Sequence, residues 1–183
     1  AVRRSNGKID ASIVSDRLSP TRGKLRVRLT DFYGKTALDK TLAMSVPALS
    51  SDVYLSLDEQ NLLVNTDPHR VFLVLDFEGE DGARSRNTLF FDATKTLDLP
   101  PSPAIQLSWS GTSVTLSSAS LARDVYLSFG DLDVQPSDNY FDLLPGEPVT
   151  LHLKTSASAQ QLKDALTITQ LTDAFSSSTT EAQ

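Results

Sequence analysis

The stretch KLRVRLT, residues 24–30, alternates without a break: Leu25, Val27 and Leu29 fall on one side, Lys24, Arg26, Arg28 and Thr30 on the other. A period of two sends successive side chains to opposite faces of an extended chain, so this stretch predicts a strand with one face in a core and one in water. Similar runs occur at residues 9–14, 53–57, 71–77 and 87–91, and later at 105–109, 113–118, 124–129, 141–143, 149–154 and 166–171. Turn chemistry punctuates them at Tyr33-Gly34, Asp81-Gly82, Ser110-Gly111 and Pro145-Gly146, where glycine accepts the positive φ of a tight turn. Many short strands at this spacing predict an all-β chain built as β-sandwiches of immunoglobulin-like architecture. One helix is expected: in SAQQLKDAL, Ser158 stands three residues before Gln161, the spacing of a capping box, and Leu162 and Leu166 share a face.

LPPSP, residues 99–103, holds three prolines in four positions, which fix φ and remove amide donors. The expected organisation is a sandwich over 1–98, a proline-rich linker over 99–103, a second sandwich over 104–175 containing the short helix, and a flexible tail over 176–183. The pentapeptide DVYLS occurs twice, at 52–56 and 124–128, yet NTDPHRVFLV after the first copy falls opposite PSDNYFDLLP after the second. The flanks do not align, and Val-Tyr-Leu suits any half-buried strand, so the repeat reads as one strand pattern used twice, not as a duplication.

The bulk chemistry excludes several function classes. Hydrophobic residues at 39% and charged residues at 22% describe a globular protein, and no apolar run reaches the ~18 residues of a membrane helix. A net charge of -6 repels a phosphate backbone, so no nucleic-acid partner is expected. With no cysteine there is no disulfide, thiol catalysis or zinc-thiolate site, and the compartment stays open between periplasmic or secreted and cytoplasmic. The start, AVRRSNGKID, has a basic pair without the apolar run of a signal peptide and reads as a cut within a longer chain.

Reactive side chains are thinly spread. His69 stands beside a turn proline and His152 within the strand VTLHLK, two isolated histidines expected on strand faces or at the surface. A glycosidase needs two carboxylates about 5 to 9 Å apart across a cleft. Glu59, Glu78, Glu80, Glu147 and Glu181 lie in no stretch that would bury and protonate one of them. GDLDVQPSDN, residues 130–139, is rich in oxygen ligands but lacks the glycine and terminal glutamate of an EF-hand, so turn formation is its expected role. Lys24, Arg26 and Arg28 form the wet face of one strand, and Trp109 fits a sandwich core or an edge. No nucleotide loop or nucleophile elbow is present. No catalytic, cofactor-binding or metal-binding residue is assigned, and no cofactor is expected.

The stretch LARDVYLSFGDLDVQPSDNYFDLLPGEPVTLHLKT, residues 121–155, and above all SDNYFDLLPGE within it, resembles the C-terminal immunoglobulin-like domain of β-mannosidases in glycoside hydrolase family 2. LKDALTITQLTDAF, residues 162–175, is similar to the end of that domain. Upstream, KLRVRLTDFYGK and SRNTLFFDATKTLDLPPSPAI resemble the opening strand and the exit of the mannosidase Ig or carbohydrate-module-like domain that precedes it. The resemblance implies a non-catalytic pair of domains whose parent, a retaining exo-glycosidase, carries both catalytic glutamates on a (β/α)8 barrel. It implies that barrel as the intramolecular partner, and no residue named above inherits a catalytic role. Two other readings are a carbohydrate-binding module and an adhesion or scaffold pair of Ig-like domains. Asp138 and Asn139 would shape a turn by bonding nearby backbone, with Tyr140 and Phe141 supplying apolar area or a sugar-stacking surface.

Overall fold

The structure is a computed structural model and describes residues 1–176. The chain divides into two compact units: the first holds Ala1–Asp31 and Lys35–Asp98, the second Phe32–Gly34 and the chain from Leu99 on.

The first unit is a sandwich of two antiparallel sheets. One is β1 (Val2–Ser5), β2 (Lys8–Ser15) and β5 (Ser50–Asp58), in that order; the other has the order β4 (Thr36–Val46), β3 (Thr21–Asp31), β6 (Val71–Gly79), β7 (Arg84–Phe90). The alternation of residues 24–30 does what its period dictates: Leu25, Val27 and Leu29 are buried with Ile9 and Ala11 of β2 and Val71, Leu73 and Leu75 of β6. Each such aliphatic side chain taken from water contributes roughly 1.5–3 kcal/mol, and this facing set holds the sheets together. β6 is buried at Phe72 and Val74 as well as at Leu73, and the ring of Phe72 stacks on its cross-strand partner Phe90 at 5.8 Å.

The second unit pairs a sheet of β12 (Phe141–Leu143), β10 (Ala122–Ser128) and β14 (Thr167–Thr169) with one of β11 (Gln135–Pro136), β13 (Val149–Lys154), β9 (Ser113–Ser117) and β8 (Gln106–Ser110). Val114, Leu116, Val125, Leu127, Leu143, Leu151 and Leu153 fill the space between them, closed by Leu162 of the expected helix, Ala159–Ala165. That helix begins with the full capping box: Ser158 and Gln161 satisfy each other's backbone N–H.

Several elements differ from the sequence expectation. The first unit also contains a one-turn helix, Glu59–Leu62, whose N-cap Asp58 accepts from the Asn61 N–H at 2.9 Å. A run expected as a strand over 166–171 is strand only for Thr167–Thr169. A helix, Leu171–Ser176, then takes over, with the Gln170 N–H bonded to Asp173. β1, β4 and β11 were not foreseen. The eleven residues of β4 lie at the margin of their sheet and alternate poorly, because little of the strand is buried. Of the tail expected over 176–183, Ser176 closes the helix Leu171–Ser176, and residues 177–183 lie outside the described residues.

Candidate functional site

The motif SDNYF forms a corner of the second unit built around one interrupted strand. In the β10–β12 ladder Ala122 opposes Leu143 and Val125 opposes Phe141, with a register shift between them where Asp124 takes φ 49°. Two residues further along, the position opposite Leu127 belongs to Asn139, but Tyr140 has turned to φ 60° and taken the main chain out of the sheet. The Asn139 side chain fills the gap: its Oδ1 accepts from the Leu127 N–H at 2.8 Å and its Nδ2 donates to the Leu127 carbonyl at 3.0 Å. A carboxamide carries one acceptor and donors on neighbouring atoms, so it can make both bonds that an opposing backbone residue would make. The same detour stacks the rings of Tyr126 and Tyr140 at 4.6 Å and leaves Tyr140 68% exposed. Asp142 fixes the bulge by accepting from the Asp124 N–H at 3.1 Å and from Arg123 at 3.3 Å.

In the first unit the charged groups neutralise one another. Arg26 binds Asp39 through two bonds of 2.9 and 2.6 Å. Asp76 lies between Arg28 at 2.8 Å and Arg86 at 2.6 Å. Burial works to raise the Asp76 carboxyl, but the bonds from Arg86 and Arg28 outweigh it and hold the group below the ordinary aspartate range. Asp39 is lowered by its bond from Arg26. The wet cationic face expected at Lys24, Arg26 and Arg28 is therefore part of a mixed-charge ladder. Arg28 is drawn down into it, with its side chain mostly covered, because a carboxylate stands beside it on the neighbouring strand.

The two histidines lie in different units. His69 Nδ1 stands 3.1 Å from the Thr96 carbonyl oxygen and 3.4 Å from Asp92, whose carboxyl is lowered by the Ala93 N–H, then by the Thr96 hydroxyl, with His69 and Arg4 adding to it. His152 pairs across strands with Ser113 at 2.9 Å. Glu59 forms a two-pronged ion pair with Arg4, which also donates to the Phe91 carbonyl at 2.6 Å, and Glu78 binds Arg84 at 2.7 Å. Glu80 and Glu147 sit in turns, and Glu181 lies outside the described residues. Residues 130–139 form a loop containing β11 and ending at the Asn139 corner. Trp109 stands on the marginal strand β8 and packs part of its ring on the core. Among the described residues no three metal-ligating side chains converge.

One feature escaped sequence reasoning: a cavity of about 270 Å³ between the sheets of the first unit, floored by Leu25, Leu75 and Phe77 and bordered by Ser12, Ser85 and Asn87. It comes from small side chains meeting across strands distant in sequence, a juxtaposition that no local pattern announces.

Comparison with known proteins gives a consistent picture. Residues 7–96 match the family model of the mannosidase Ig/CBM-like domain, and residues 99–174 that of the Ig-fold domain of mannosidases. Among solved structures, a β-D-mannosidase from Dictyoglomus thermophilum superposes with a TM-score of 0.77 at 22% identity, covering 93% of this chain and 21% of that one. The exo-chitosanase CsxA of Amycolatopsis orientalis, complexed with PNP-β-D-glucosamine, gives 0.55 at 17% identity, covering 92% of this chain and 25% of that one. No curated protein matches by sequence. The chain thus spans only about a fifth to a quarter of the enzymes whose fold it shares.

Proposed function

Residues 7–96 belong to the mannosidase Ig/CBM-like domain family and residues 99–174 to the mannosidase Ig-fold family, and on that footing we propose that the chain is the non-catalytic C-terminal part of a retaining, exo-acting β-mannosidase. Release of terminal β-D-mannose is then the work of a barrel domain outside these 183 residues, against which the two sandwiches pack. The observation that carries the reading is the succession of the two mannosidase domain types, with only residues 97 and 98 between the matched segments. The placement of the carboxylates supports it: Glu59 is bound to Arg4 and Glu78 to Arg84, and Asp76 is held ionised by two guanidinium groups. A protonated acid facing a nucleophile needs the opposite environments.

The test adds this chain to a β-mannosidase truncated before the corresponding domains, using a chromogenic β-mannoside and thermal melting. The expected result is no turnover by the chain alone, and a higher melting temperature and restored activity for the truncated enzyme when the chain is supplied. Turnover by the chain alone that disappears on substitution of one of its own carboxylates would overturn the reading. So would a truncated enzyme indifferent to the addition.

A further inference from the structure

We infer that the first unit carries a binding pocket for one neutral pyranose ring, in the cavity between its two sheets. The cavity exists because its walls are small where the strands face each other, at Ala11 on β2 and at Ala83 and Ser85 around the start of β7. Its 270 Å³ is about nine waters' worth of space at ~30 Å³ each, and lies just under the usual range of small-ligand pockets. A single sugar ring of about a dozen non-hydrogen atoms is of that size.

The floor is apolar and rigid. Leu25 and Leu75 are each 4% exposed, anchored in the core. Phe77 is positioned by a missing side chain: a Cβ on Gly23 would fall 2.8 Å from two carbons of the Phe77 ring, so the ring occupies space that only glycine leaves free. The border is polar: Ser85 and Asn87 stand on the core-facing side of β7, opposite Phe77 and Leu75, and Asp16, Arg17 and Arg84 also line it. The two guanidinium groups that line it are already committed, Arg17 to Asp81 and Arg84 to Glu78 at 2.7 Å, and Asp16 adds a carboxylate to the lining, which together disfavour an anionic ligand. Asp81 also accepts from the Thr21 hydroxyl at 3.1 Å and the Ala83 N–H at 3.0 Å, fixing the β6–β7 turn at the cavity's edge. A purely aliphatic ligand would strip water from Ser85 and Asn87 without replacing it. A pyranose has a C–H face for Phe77, Leu25 and Leu75 and a hydroxyl edge for the border. A ligand this small with ordinary efficiency binds with a Kd in the millimolar range. The pocket stands on the cavity alone; only the choice of mannose as first sugar rests on the proposed function.

The test is an NMR titration of the full 183-residue chain with D-mannose, D-glucose and cyclohexanol, a ring of similar size bearing one hydroxyl. The expected result is saturable shifts at the Ser12, Phe77 and Asn87 amides with a millimolar Kd for mannose, and at least tenfold weaker binding in Asn87→Leu, which keeps bulk and removes the carboxamide. Ser85→Trp, at an exposed strand position, fills the border and should also abolish binding if Asn87→Leu misfolds. No saturable shift by about 100 mM mannose, shifts confined to other residues, cyclohexanol binding as tightly as mannose, or binding untouched in both variants would each overturn the pocket. Glucose binding as well as mannose supports the pocket and removes its link to mannosides.

Discussion

The two copies of DVYLS are chemically identical and physically unlike. In the first, on β5, Val53 is 57% exposed and Asp52 keeps ordinary strand geometry; in the second, on β10, Val125 is 0% exposed and Asp124 stands at φ 49°. The first copy covers one side of its neighbour β2, while the second is the middle strand of its sheet, gripped by β12 and the Asn139 carboxamide on one side and β14 on the other. The pentapeptide specifies a strand. What that strand is worth is decided by the residues it meets across the sheet and the core.

The largest expected contrast is at the valines. Val125→Ala should cost about 2.5 kcal/mol in the second unit and Val53→Ala under about 0.5 kcal/mol in the first, read by urea denaturation with NMR probes in each unit. Equal costs would dissolve the comparison. Next comes Asn139→Ala, which strands the N–H and C=O of Leu127 and should destabilise the second unit by about 2 kcal/mol, with no effect on the first.

A smaller effect should change sign between the copies. Asp52→Gly places glycine in a regular strand and should cost about 0.5–1 kcal/mol, whereas Asp124→Gly relieves a left-handed conformation and should be neutral or stabilising. The smallest contrast is in acid. Because the folded Asp76 carboxyl sits below its ordinary value, its stabilisation is present at neutral pH and is lost as pH falls below about 4 toward the folded value. Acidification from pH 7 to 3 should therefore lower the first unit's melting temperature slightly, and Asp76→Asn should flatten that slope.

Much of the sandwich pattern could be read from the chain because period two survives wherever one face is buried, as at Leu25, Val27 and Leu29. Where burial is slight the pattern fades, which hid β4, and one turn of helix at Glu59–Leu62 is too short to show a period of its own. The 166–171 run misled because Leu166, Ile168 and Leu171 fit extended and helical spacing equally over so short a span. At the Asn139 corner the motif announced a turn. It could not announce that the carboxamide would reach Leu127, because that depends on the β10–β12 register. Tyr140 was visible as an aromatic near the surface, but its stacking partner Tyr126 is identified only by that same register. The cavity was invisible for a related reason: Ala11, Phe77 and Ser85 become neighbours only when two sheets close on each other.

The side chain that completes the β10 ladder also alters how that strand breathes. Elsewhere in a sheet an amide is released when its neighbouring strand peels away, several residues at a time. At Leu127 it is released when one carboxamide rotates. Hydrogen exchange at Leu127 should therefore follow a local, non-cooperative clock, faster than at Val125 and insensitive to urea, in the middle of a strand whose backbone-paired amides exchange only through wider opening.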